Sequence, residues 1–240
     1  MTPVQINNID HGDLRVRPTA GAAFGDAANQ ALVFPAEFEE LQREFAIIFR
    51  RRETGLQAYA LLGQIFLQQK RLDDARREFE AQLRQNPRSV GAGTMVAQIL
   101  YMQRKSKEAQ KAYSDVLTID PKAAVAANNL AWIYAEEGSN LDEALRLAQL
   151  AVQTTPDEAA AHDTLGWVYY KRDLAPLAVR AFQQAVEIDG KNAEYHYRLA
   201  LAHAKSGDAE SAKNSLRDAL RLNPNLSEAA ALLKSVGGQP

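Results

Sequence analysis

The sequence predicts an all-α superhelix of about five helix-turn-helix units, preceded by an N-terminal arm and helix and followed by a capping helix. Three observations lead there. An alanine recurs at Ala75, Ala109, Ala144, Ala178 and Ala212, at intervals of 34, 35, 34 and 34 residues. A turn residue follows each at a fixed remove: Pro87, Pro121, Pro156, Gly190 and Pro224. Four residues after each alanine stand Phe79, Tyr113, Ala148, Phe182 and Leu216, and upstream lie the pairs LG, VA, LA, LG and LA, beginning at residues 62, 96, 130, 165 and 199. Such a period marks stacked repeats, in which each pair of amphipathic helices buries its apolar face only against its neighbours.

Taken in order, residues 1–34 carry no repeat, and "RPTAGAAFGDAANQ" is rich in Gly and Ala without helical periodicity, so an extended arm is expected. A helix is signalled from Pro35 to Arg52, within a unit of 35–55. Proline opens it, Glu37, Glu39 and Glu40 lie near its start, Arg50, Arg51 and Arg52 near its end, and Gly55 beyond. Phe38, Leu41, Phe45 and Ile48 share one face of it. The five repeats are read as 56–89, 90–123, 124–158, 159–192 and 193–226. The third has one extra residue, in "EEGSNLDEA", expected to lengthen the turn between its helices. Residues 227–240 are read as a capping helix and tail, with Ser227 placed to cap the helix.

These residues resemble the tetratricopeptide repeat (TPR) family, whose pattern is a bulky residue, Leu-Gly, Tyr, then Ala, Phe, Ala and Pro. In repeat one the pattern falls on Tyr59, Leu62, Gly63, Phe66, Ala75, Phe79 and Pro87. In repeat four it falls on His162, Leu165, Gly166, Tyr169, Ala178, Phe182 and Ala185. The resemblance spans residues 56–226 and implies a right-handed superhelix with a concave inner face. "DHGDLRV", "AAFGDAANQALVFPAEFEELQREFAIIF" and "LQAYALLG", within residues 8–63, are in turn similar to the start of the bacterial SapC-like family. That similarity is expected to stop where the repeats begin, and it implies no activity.

Composition narrows the function. Lys+Arg of 28 against Asp+Glu of 30 gives a formal charge of −2, without the basic excess that would neutralise a phosphate backbone, so no nucleic-acid partner is expected. No apolar run approaches a membrane span and the first twenty residues lack a signal-peptide pattern, so no membrane insertion and a cytoplasmic protein are expected. With zero cysteines there is no thiolate nucleophile, disulfide or cysteine metal site. No GxSxG, HExxH, P-loop or GxGxxG stretch occurs. His162, His196 and His203 fall at packing positions of the repeat, and acidic runs such as "LDDA" and "LDEA" read as first-turn charges. No enzyme activity, catalytic residue, metal or cofactor is expected.

The TPR resemblance assigns the concave face to positions 2, 5, 9, 12 and 13 of each first helix. It implies Gln64 and Gln68 in repeat one, Thr94, Gln98, Tyr101 and Met102 in repeat two, and Asn128, Trp132 and Glu136 in repeat three. Repeat four supplies Asp163, Trp167, Tyr170 and Lys171, and repeat five Glu194, Tyr197 and Lys205. Both tryptophans thus fall at position 9, facing the groove, with Tyr134 and Tyr169 at core positions. An aromatic strip of Tyr101, Trp132, Trp167, Tyr170 and Tyr197 is expected along it; aromatics on a concave surface are what interface hot spots are made of. The other reading of the indoles is packing between adjacent first helices. Some TPR modules grip a C-terminal carboxylate; Asn129 matches that arrangement, whereas Thr94, Gln98, Ala160 and Thr164 depart from it. The function read from the sequence is a scaffold binding a peptide segment of a partner protein in the groove. The alternatives are a self-assembling homo-oligomer with the N-terminal arm in a groove, or an accessory subunit of a bacterial enzyme or of an envelope or polysaccharide export system.

Overall fold

The computed structural model describes residues 55–237, so the arm, most of the expected 35–55 helix and the last three residues lie outside the described residues. Within them the chain is helical and turns back on itself at short intervals. The helices are α1 (Gly55–Gln68), α2 (Leu72–Gln85), α3 (Val90–Met102), α4 (Ser106–Ile119), α5 (Ala124–Glu137), α6 (Leu141–Thr154), α7 (Ala159–Lys171), α8 (Ala175–Ile188), α9 (Ala193–Lys205), α10 (Ala209–Leu222) and α11 (Ser227–Ser235). Successive helices pair antiparallel, α1 with α2 through α9 with α10, and each pair stacks on the next. The first helices α3, α5, α7 and α9 also meet one another in series and form the inner layer of an α-α superhelix.

The periodic small and bulky positions explain the pairing. Ala75, Ala109, Ala144, Ala178 and Ala212 are each fully buried, which leaves room for no larger side chain at the point where the second helix crosses its partner. Phe79, Tyr113, Phe182 and Leu216, one turn later, fill the space between layers. Where the pattern has Leu-Gly, the glycine receives an aromatic ring: a Cβ on Gly63 would stand 2.5 Å from Phe79 Cε2, and one on Gly166 2.7 Å from Phe182 Cδ1. In the third unit Ala148 replaces the bulky residue, and Leu147 beside it is fully buried.

Side-chain caps satisfy the free N–H groups at several helix starts. Ser89 accepts from Ala92 N at 3.3 Å, Asn192 from Glu194 N at 3.0 Å, and Asp208 from Ser211 N at 3.0 Å. Ser227 does not cap α11. It is the first helical residue, and its hydroxyl donates to Glu228 Oε2 at 2.9 Å. Leu226, buried against Leu233 and Ala229, holds the capping position and fixes where the helix begins.

The turn inside each unit has one left-handed residue at an equivalent place: Lys70 (φ 59°), Arg104 (φ 63°), Gly138 (φ 63°), Asp173 (φ 60°) and Gly207 (φ 85°). The extra residue of the third unit does not widen this turn. Instead α5 runs to Glu137, and Asn140 (φ 48°) takes a second left-handed conformation, which asparagine tolerates. A left-handed residue with a Cβ is strained by roughly 1–2 kcal/mol, partly offset by the smaller entropy it loses relative to glycine. Gly207→Ala is therefore expected to cost about 1 kcal/mol in urea unfolding, and Arg104→Gly to gain somewhat less. No change in either variant would show that these turns relax freely.

Candidate functional site

The inner helices bring the two tryptophans face to face. Trp132 on α5 and Trp167 on α7 stack with ring centres 5.9 Å apart and planes 23° from parallel. Tyr170, one turn after Trp167, continues the stack at 5.2 Å and 8°. The stacking follows from the repeat: residues 35 apart occupy the same place on neighbouring first helices, so their side chains meet. Each such contact stabilises by about 0.5–1.5 kcal/mol beyond area burial. Their polar edges are also engaged. Trp167 Nε1 donates to Glu136 Oε1 at 2.7 Å. The Trp132 indole hydrogen-bonds the Tyr101 hydroxyl, whose pKa is nonetheless raised, chiefly by burial.

A cation lies over each ring. Arg198 Cζ is 4.7 Å from the Trp132 centre and 6.0 Å from that of Trp167. Lys171 Nζ is 4.8 Å from the Trp167 centre, and Lys205 Nζ 4.2 Å from the Tyr170 centre. Each cation also has a carboxylate: Arg198 pairs with Asp163, Lys171 stands 3.9 Å from Glu136, and Lys205 is 2.5 Å from Asp173 while donating to the Tyr170 carbonyl at 2.8 Å. Asp163 is the buried member of this set, at 5% exposure. Burial pushes its carboxyl up to about 6, against the opposing pull of Arg198.

The residues assigned to the groove from sequence thus separate into groups. Tyr101, Trp132, Trp167, Tyr170, Lys171, Lys205 and Glu136 form one connected array. Asp163 sits under it rather than on its surface. Tyr197 packs instead with Leu220, Leu232 and Val236 against the C-terminal cluster. Asn128 donates to Asn129 Oδ1 at 3.4 Å, and Asn129 donates in turn to the Tyr113 hydroxyl at 3.1 Å, which commits it to the core. Thr94 is buried and donates to the Val90 carbonyl at 2.8 Å. Met102 is exposed, while Gln64 and Gln98 are half-buried. Tyr134 and Tyr169 lie against the core clusters.

Arg198, at position 6 of its repeat, lay outside the positions read from the sequence; its residue type among neutral equivalents was the available signal. Two of the histidines serve helix starts, His162 Nε2 donating to the Pro156 carbonyl at 2.8 Å and His196 Nε2 to that of Gly190 at 3.0 Å. Among the described residues no three His, Asp or Glu side chains cluster as metal ligands, and no helix is long and apolar enough to cross a membrane.

A family model described as SapC matches residues 6–155 of the 240-residue chain. The chain belongs to the SapC family. The match in this SapC-family chain runs past residue 63, where it was expected to stop, and takes in α1 to α6. The tetratricopeptide repeat model matches residues 193–226, the α9 and α10 pair. Among curated proteins the chain is similar to the human protein O-mannosyl-transferase TMTC3, 33% identical over 97 residues, which are 40% of this chain and 11% of that protein. The chain thus spans a small fraction of that relative. Among solved structures it is similar to PilF of Pseudomonas aeruginosa, with TM-score 0.69 and 19% identity over 77% of this chain and 84% of that one. YrrB, described as a TPR protein with an unusual peptide-binding site, matches with TM-score 0.61 and 16% identity over 80% of this chain and 99% of that one. At these identities the likeness establishes a TPR superhelix.

Proposed function

We propose that the chain is a non-enzymatic protein-interaction scaffold that holds a peptide segment of a partner protein across the Trp132, Trp167 and Tyr170 ladder. The stacked ladder on the inner helices carries this reading. Its rings are half-buried on the inner layer of helices, with charges laid around them. Apolar rings with a polar rim favour an extended or helical peptide read by its side chains. YrrB, on the same fold, is described by a peptide-binding site, which supports the comparison.

The test compares wild type with Trp132→Ala and Trp167→Ala in co-purification, followed by affinity measurement on the partner recovered. Trp167→Ala is expected to weaken binding by about 2 kcal/mol or more, as for a central anchor, while costing the fold less than the 3–5 kcal/mol or so of a fully buried aromatic. A Trp167→Ala chain that melts far below wild type yet keeps its partner would make the ladder a packing feature. Recovery of nothing but further copies of the chain would replace the peptide partner with self-assembly.

A further inference from the structure

Arg198 fills a slot whose walls belong to other repeats. Trp132 on α5 and Trp167 on α7 offer their ring faces, and Asp163 on α7 accepts a hydrogen bond at Oδ2 from Arg198 Nη1. Two aromatic faces and a carboxylate suit a flat, delocalised cation, since the ring quadrupole attracts its charge and the carboxylate can accept two parallel N–H bonds.

Three features distinguish this slot from an ordinary ion pair. The occupant is not required by the repeat, because the equivalent sixth position of the other units holds Leu61, Met95, Asn129 and Thr164. The carboxylate is half used: Arg198 engages Oδ2, while Oδ1 is buried with no hydrogen-bond partner. The Arg198 side chain reaches in from α9, so withdrawing it leaves the walls on α5 and α7 in place.

We propose that the slot between Trp132, Trp167 and Asp163 is a binding site for the guanidinium of a partner's arginine, with Arg198 as a resident occupant that the arginine displaces. The inference rests on the peptide-binding reading above and names one side chain the peptide carries. The exchange puts one guanidinium in for one taken out, so the buried carboxylate keeps a counter-charge throughout. A lysine cannot substitute, because an ammonium is a compact point charge that cannot lie flat on an indole and bond both carboxylate oxygens.

The chain has two tryptophans, and both wall the slot, so intrinsic fluorescence of the full chain reads it directly. The probes are N-acetyl-arginine amide and, as control, N-acetyl-lysine amide at pH 7.5. Arg198→Ala should respond saturably to the arginine probe at concentrations at least tenfold below those needed by wild type or by the lysine probe. Adding Asp163→Asn should abolish the response. A folded Arg198→Ala chain with no saturable response, or one that treats both probes alike, overturns the proposal. If Arg198→Ala does not fold, the wild-type chain decides: the Arg198 Nε–H resonance must shift saturably with the arginine probe and not with the lysine probe, and a resonance unmoved by both overturns the slot. Loss of a partner in the tryptophan variants without any probe response removes the slot and leaves the proposed function standing. A probe response in a chain whose partner ignores both tryptophans does the reverse.

Discussion

Arg198→Ala is expected to lower the unfolding free energy by about 3–5 kcal/mol at pH 7.5, because it strands the Asp163 carboxylate in a site 5% exposed. Asp163→Asn should cost far less, since an amide is cheaper to bury than a charge and its oxygen can still accept from Arg198. Replacing both, as Asp163→Leu with Arg198→Met, should come within about 1 kcal/mol of wild type, for a buried pair returns little more than its own desolvation. The asymmetry also depends on pH. Asp163 has an ordinary value of 3.8 and is pushed up to about 6 in the fold, so the folded chain holds its proton more tightly than the unfolded one. Its contribution to stability is therefore greatest below pH 3.8 and is withdrawn as pH rises through about 6. Urea unfolding across this window should show the decline in wild type and its absence in Asp163→Asn. The Arg198→Ala deficit should shrink at pH 5. A deficit that stays constant with pH would mean that Asp163 is not ionised in the fold and that the pair is a neutral contact.

Gly166→Val is expected to cost about 3 kcal/mol, the upper end of ordinary overpacking. Its Cβ would stand 2.7, 2.8 and 2.9 Å from Phe182 Cδ1, Cε1 and Cγ, and Phe182 is fully buried, so the ring has nowhere to retreat. Gly91 supplies the control. Nothing lies within 4 Å of a Cβ there, and Gly91→Ala should stabilise by about 0.5–1 kcal/mol through helix propensity alone. Pairing Gly166→Val with Phe182→Leu should recover part of the loss. If Gly166→Val unfolds at the same urea concentration as wild type, the aromatic-on-glycine crossing is not what sets the spacing of α7 and α8.

The fold was readable because its signals are local and repeated: an alanine, a bulky residue and a turn residue at fixed spacing report the same crossing in each unit. The stacking of Trp132 on Trp167 was readable for the same reason, since equal positions on neighbouring units must meet. Arg198 was not. Its partners lie 31, 35 and 66 positions earlier, and finding them needs the stagger between successive first helices, which no single unit encodes. Tyr197 shows the converse. It holds a groove position by count, but the array ends one unit later, so the ring packs against the C-terminal core cluster that includes Leu226, Ala229 and Leu233 of the capping region. The helix within 227–240 was legible, and only the capping role of Ser227 was misplaced, because the buried Leu226 takes the capping position.

The cations over the ladder all come from the C-terminal side of what they cover. Lys171 reaches back to Glu136, Lys205 to Tyr170, and Arg198 past Asp163 to Trp132, two units earlier. During synthesis, then, the indoles of the third and fourth units leave the ribosome before the side chains that finish their surroundings. A nascent chain ending between residues 167 and 198 carries both tryptophans but lacks the guanidinium that covers them. The slot between the two indoles and Asp163 is therefore made empty and filled from within only when the fifth repeat emerges, so the order of translation sets when the chain supplies its own occupant.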